Sequence, residues 1–199
     1  MPQFATYQVG ASSDDAYQDS GGTADITSTG ATIGTGTIVA LLRANGFRFL
    51  SVAIPPGATI VEAIPMVSKR TTQFASVGGT WYGEKVASAA TFSNGEDLNV
   101  RTKTTASVVC SAENINRIDL TRYGFPQETD LKAIIQEIID QSTWASGNNL
   151  ALLFIGNSGT PFTSTDINHY DNASNLAMRL AITWRVGTET TVRHPAIYS

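Results

Sequence analysis

The stretch from Asp130 to Phe154, DLKAIIQEIIDQSTWASGNNLALLF, sets the tightest limits on how this chain folds. Leu131, Ile134, Ile135, Ile138 and Ile139 recur at helical spacing, which predicts one short amphipathic helix over about residues 130–141 with a single buried stripe. Glu128 and Asp130 near its start suit the helix dipole, and Thr129 is the expected N-cap. Trp144 follows the last turn and is expected to cover the end of the stripe, and Ser146-Gly147-Asn148-Asn149 reads as a break. Residues 150–155 then form an unbroken apolar run of strand length, the pattern of a strand buried on both faces. No other segment shows a helical stripe this clear.

The rest of the chain reads as β-structure. Its 199 residues suffice for one domain with a real core, and they are 42% hydrophobic and only 15% charged, with 17 glycines and long Ser/Thr/Gly-rich stretches. Strands are expected at residues 4–9, 37–42, 46–54, 59–68, 80–87, 105–111 and 115–120. The clearest alternation comes late, with Leu176, Met178, Leu180, Ile182 and Trp184 on one face. In GFRFLSVAI, Phe47 and Phe49 share one parity while Val52 and Ile54 share the other. A bulge near Ser51 would bring all four to the core, and burial on both faces would also fit. Pro55-Pro56-Gly57-Ala58 predicts a turn with Pro56 and Gly57 at the centre of type II, and Asn94-Gly95 predicts another. Pro65 cannot donate to a ladder and points to an edge or a bulge. Residues 1–36 are either weak strands, around 15–18 and 24–27, or a polar arm that orders only against a partner. Residues 37–186 are the expected sandwich and residues 187–199 a C-terminal tail.

Charge and cysteine content narrow the function classes. Asp14, Asp15, Asp19 and Asp25 precede the first basic residue, Arg43, and the other 13 acidic residues balance the 13 basic ones. No basic patch large enough to grip a phosphate backbone is present, so nucleic acid is not an expected partner. Cys110 is the single cysteine, which excludes an intrachain disulfide and a cysteine-based zinc site, and it is expected to be a buried small hydrophobe. The opening MPQFATYQVGASSDD lacks the basic and apolar regions of a secretory signal, and no run approaches the length of a membrane span. A membrane is therefore not an expected partner.

Three stretches taken together, LLRANGFRFLSVAIPPGATIVEAIPMV, the helix-turn-strand from Asp130, and NLAMRLAITW, resemble the DNRLRE-type jelly-roll modules of bacterial surface proteins, which are similar in fold to carbohydrate-binding modules. The residues that match are Arg48, Phe49, Ile54, Pro55, Gly57, Ala58, Ile60 and Ala63 before the helix, Ile134 to Ile138 within it, and Leu180, Ile182 and Trp184 in the closing strand. The resemblance implies an all-β fold, a jelly-roll β-sandwich with one short helix. Small stand-alone chains of this pattern look like structural proteins of tailed-phage virions. The implied function is a non-enzymatic capsid decoration or cement protein, made in the host cytoplasm and acting in the virion through subunit interfaces. Its implied partners are the major capsid protein, other virion proteins and further copies of itself. The alternative is a carbohydrate-binding or host-adhesion module of a tail appendage or cell surface, with a glycan as partner.

The residues offer little for catalysis, and no cofactor is implied. His169 and His194 are the only histidines and are expected on the surface. Asp14, Asp15 and Asp19, or Asp166, Asp171 and Asn172, could supply oxygen ligands to calcium, but neither set has EF-hand spacing, and solvated loop carboxylates are the expected reading. Glu84 and Glu96 are too unspecific to define a glycosidase pair. Trp81 and Tyr82 are the candidate glycan-contact residues, because one of the two should face outward, whereas Trp144 and Trp184 belong to the core. In the tail, Val192, Pro195, Ile197 and Tyr198 are the candidate interface residues, apolar anchors that a purely solvating segment would not need.

Overall fold

The computed structural model describes residues 1–19, 22–34, 43–70, 76–114, 116–117, 123–124, 129–157 and 164–187. In chain order the strands are β1 (Gln3–Gln8), β2 (Asp15–Gln18), β3 (Ala24–Asp25), β4 (Gly30–Gly34), β5 (Ala44–Phe49), β6 (Ala58–Val67), β7 (Ser76–Glu84), β8 (Lys103–Asn114), β9 (Asn116–Arg117) and β10 (Tyr123–Gly124). Helix α1 (Lys132–Ile139) follows, then β11 (Leu150–Gly156), β12 (Ser164–Asn168) and β13 (Arg179–Val186). All pairings among the described residues are antiparallel. A five-stranded sheet has the order β1-β13-β6-β10-β9, a six-stranded sheet the order β3-β2-β5-β11-β7-β8, and β12 pairs with β4 in a short ribbon.

This is the expected all-β sandwich with one short helix. The chain passes from the six-stranded sheet to the five-stranded one between β5 and β6 and returns at β7, crossing between layers in jelly-roll fashion. Between the layers lies one hydrophobic cluster. Phe47, Trp81 and Phe154 of the larger sheet meet Ile60, Leu180 and Ile182 of the smaller, together with the helix stripe. Trp81 stands edge-on to Phe154 at 4.8 Å and lies 5.9 Å from Phe47.

β11 explains why residues 150–155 carry no polar position. Leu150, Leu152 and Phe154 face the sandwich core, and Ala151, Leu153 and Ile155 face a second cluster on the far side of the same sheet. That far side is covered by residues 85–102, through Ala89, Phe92 and Leu98. The segment is tied down by polar contacts. Arg48 donates to Ala89 O at 2.9 Å, and Gln18 accepts the Leu98 amide at 2.7 Å. The larger sheet is therefore buried on both faces over its central strands.

The helix begins two residues later than expected, with Leu131 at the cap position and no side-chain cap bond. Thr129 is not the N-cap. It is buried, with its hydroxyl 4.0 Å from the Cys110 sulfur, in keeping with Cys110 as a small core residue. Asp130, one residue before the cap, accepts the Lys132 amide at 3.0 Å. Leu131, Ile134, Ile135, Ile138 and Ile139 are all buried, as the stripe predicts. Gly83 lets the helix approach β7, because a Cβ there would stand 2.6 Å from Ile138 Cδ1 and 2.9 Å from Ile134 Cγ2. Trp144 closes the stripe and donates its indole N–H to Ile54 O at 2.9 Å.

Three local expectations are resolved in detail. Phe47, Phe49, Val52 and Ile54 all reach the core, because β5 ends at Phe49 and Ser51 adopts φ 51°, which resets the parity. The 55–58 turn closes with the Ala58 amide on Pro55 O at 3.3 Å and Gly57 at φ 74°, a left-handed position suited to glycine. Pro65 lies opposite Leu180 of β13. Ala63, of the same parity, donates its N–H away from β13 to Asp130 Oδ1 at 2.9 Å, so the missing N–H of Pro65 costs the β13 ladder nothing. A register shift between Thr183 and Trp184 marks a bulge at Val61. Residues 37–42 lie outside the described residues.

Candidate interaction surface

Most residues singled out for chemistry are engaged in holding the fold together. Trp81 is fully buried, which corrects its place among the candidate glycan contacts, since a ring with no exposed face cannot stack on a sugar. Tyr82 has the opposite parity and is half-buried against the second cluster. Glu84 and Glu96 are bridged by a single guanidinium. Arg101 Nη1 lies 2.8 Å from Glu84 and Nη2 lies 3.0 Å from Glu96, with the cation 4.4 Å above the Phe92 ring. Burial pushes the Glu84 carboxyl up and Arg101 opposes the shift. This arrangement anchors the 85–102 segment.

The acidic loops are similarly occupied. Asp14 pairs with Arg48 at 2.6 Å, Asp19 with Arg43 at 2.9 Å, Asp166 accepts the Thr32 hydroxyl at 2.8 Å, and Asp171 accepts the Ser12 hydroxyl at 2.7 Å. Among the described residues, no group of three or more His, Cys, Asp or Glu side chains is placed to hold a metal ion. His169 is not on the surface. It is fully buried beside Asp15 and edge-on to Phe47, a correction that the polar sequence around it, INHYDNAS, concealed. His194 and the interface candidates Val192, Pro195, Ile197 and Tyr198 lie outside the described residues.

The helix covers the strand edges on both sides of it. On the β6 side, Ile60 and Ala63 donate their amides to Gln136 and Asp130 at 2.8 and 2.9 Å. On the β8 side, Thr105 and Ala106 donate to Glu137 at 2.9 and 2.7 Å. At the β3 end, the larger sheet stops in a strand of two residues. These are recognised ways of blunting an edge against unwanted pairing.

β1 is treated differently. Among the described residues it is the outermost strand of the five-stranded sheet with β13 as its one strand neighbour, and its sequence QFATYQ carries no charge and no proline. Val9 donates its amide to Met178 O at 3.0 Å, so Phe4, Thr6 and Gln8, of opposite parity, turn their backbone groups to the open side. The same three side chains lie on the outer face of the sheet. Phe4 is 67% exposed, its row continues through Thr183 to Glu62, and the next runs from Thr6 through Ala181 to Ile64. At the bulge, Val61 is also exposed. The sequence signal for this surface is the parity of Phe4 in a strand whose other face, Ala5 and Tyr7, packs on the core.

No protein-family model matches this sequence, and no curated protein matches it. No helix among the described residues is long and apolar enough to cross a membrane.

Proposed function

We propose that this chain is a non-enzymatic structural protein of a bacteriophage virion, a capsid decoration or cement protein that works by burying surface against its neighbours. The reading rests first on the resemblance of its sequence pattern to DNRLRE-type modules and to stand-alone virion proteins of that pattern. The structural observation that carries it is the uncharged edge of β1 together with the exposed outer face beside it, in a molecule where the helix caps part of β6 and the start of β8 and the larger sheet ends at β3 in two residues. An extended edge and a flat half-apolar face suit docking of a major capsid protein or a further copy of this chain better than capture of a small molecule. The engagement of Glu84, Glu96, Asp14 and Trp81 in structural contacts supports a role without turnover.

The test is compositional. Particles released by the strain that carries this gene are purified on a density gradient and their proteins quantified by mass spectrometry. Presence at a fixed stoichiometry to the major capsid protein is expected. Confinement to the cell fraction, or binding of the purified protein to host glycans with no affinity for shells, would overturn the proposal.

A further inference from the structure

Asp15 on β2 and His169 after β12 are separated by most of the chain and meet inside the sandwich. Both are fully buried. Asp15 Oδ1 faces His169 Nδ1 at 3.8 Å, and neither that oxygen nor either imidazole nitrogen has a hydrogen-bond partner among the described residues. The other carboxylate oxygen is fixed, accepting the Tyr170 amide at 2.8 Å. The turn itself is held by the Asn172 amide on His169 O at 3.1 Å and by the Ser12 hydroxyl on Asp171. The charged groups around the pair are Asp14, Asp171 and Asp25, all acidic, with the Arg48 guanidinium already held by Asp14. Ionising one member alone would bury a charge that no uncommitted cation among the described residues is shown to neutralise.

We propose that Asp15 and His169 enter the core as one uncharged pair, with the proton on the Asp15 carboxyl and directed at His169 Nδ1, so that closing this clasp neither takes up nor releases a proton in mildly acidic solution. A side-chain movement of about 1 Å converts the facing atoms into an O–H···N hydrogen bond. In the unfolded chain the single proton of that pH range sits on the histidine, and in the folded chain it sits on the carboxyl. The site therefore transfers a proton between its two members on folding while its total stays constant.

The direction of each titration agrees. Burial raises Asp15 from 3.8 to about 7, aided by Asp171 and Asp14 and opposed by the Tyr170 amide, whereas burial lowers His169 from 6.5 to about 4 against the pull of Asp25. Taken alone, the raised Asp15 contributes stability that is fully present below pH 3.8 and lost as pH rises through about 7. Taken alone, the lowered His169 contributes stability present above pH 6.5 and lost as pH falls through about 4. The two slopes oppose each other over the shared window and cancel.

Urea unfolding of the full chain is measured between pH 4 and 6.5 for the wild type, Asp15→Asn, His169→Gln and the double variant. Relative to wild type, the unfolding constant of Asp15→Asn should fall by up to about tenfold per pH unit as pH rises, and that of His169→Gln should rise by up to about tenfold per unit. The double variant should regain the wild-type profile. Single-variant profiles parallel to wild type, or slopes of the same sign, would refute the pair. Should a variant fail to fold, the ring nitrogens of His169 in the wild type decide by NMR. Neutral imidazole down to about pH 4, with an unprotonated Nδ1 that accepts a hydrogen bond, supports the proposal, and a free Nδ1 or titration near the ordinary histidine value sinks it.

Discussion

The Glu137 carboxylate accepts the Ala106 backbone amide at 2.7 Å, so an ionised side chain on a helix replaces a missing strand at the β8 edge. The same carboxylate accepts the Thr105 amide at 2.9 Å and pairs with Lys85 at 2.9 Å. Burial would raise its pKa, but the two amides and Lys85 outweigh that cost and hold it at about 2. A depressed carboxylate contributes stability that is present above its unfolded value, 4.5, and is lost as pH falls through about 2. Replacing Glu137 with Gln should cost roughly 2–3 kcal/mol at neutral pH. The difference from wild type should shrink steadily below pH 4.5 in urea titrations, and a pH-independent difference would mean that the carboxylate's charge is not what caps β8.

Arg101 should be the most sensitive position in the 85–102 cover. Its guanidinium joins Glu84 to Glu96 and also donates to Thr91 O at 3.1 Å. Arg101→Leu leaves Glu84 buried without its cation, a loss on the order of 3–5 kcal/mol. Limited proteolysis should then cut within residues 85–102 before the rest of the chain. A variant as resistant as wild type would show that apolar contacts of Phe92 and Leu98 suffice to hold the segment.

The helix seat can be tested from both sides. Ile135→Asp places an unpaired charge where no solvent reaches and removes apolar contacts, at a cost on the order of 3 kcal/mol or more. Gly83→Val should fail in the same way from the strand side, because even a Cβ there meets Ile138 and Ile134 within 3 Å. Midpoints in denaturant close to wild type for either variant would contradict the packing of α1 on β7.

On the β1 edge the expected outcome is the reverse. Phe4→Lys and Thr6→Lys place charge on an exposed strand and should change folding stability by no more than about 0.5 kcal/mol. If the edge is used for assembly, the same variants should lower the share of protein bound to particles or to itself, measured by sedimentation. Unchanged sedimentation would remove β1 from the proposed interface.

Much of the architecture follows from local pattern. The 3.6-residue repeat of Leu131 to Ile139 specifies the helix and its buried face, and the apolar run 150–155, too short for a helix and without a polar position, specifies a strand with core on both sides, because in each case the local pattern decides which side chains must leave water. The alternation from Leu180 to Trp184 works in the same way. Where tertiary contacts set the outcome, the sequence was silent or pointed elsewhere. Thr129 has the chemistry of an N-cap, yet Leu131 donates its amide to Ala63 O at 2.8 Å, and that contact with β6 sets where the helix begins. Trp81 and Tyr82 are adjacent aromatics of opposite parity, and the pairing of Trp81 with Phe154 on β11 decides which one is core. His169 sits in a polar stretch that reads as solvent-facing. Asp15 and Phe47, brought to it by two other strands, make its place dry. A repeat within one segment reports which face is apolar, whereas the burial of a polar or aromatic side chain depends on segments far apart in sequence, and that information exists only once they have met.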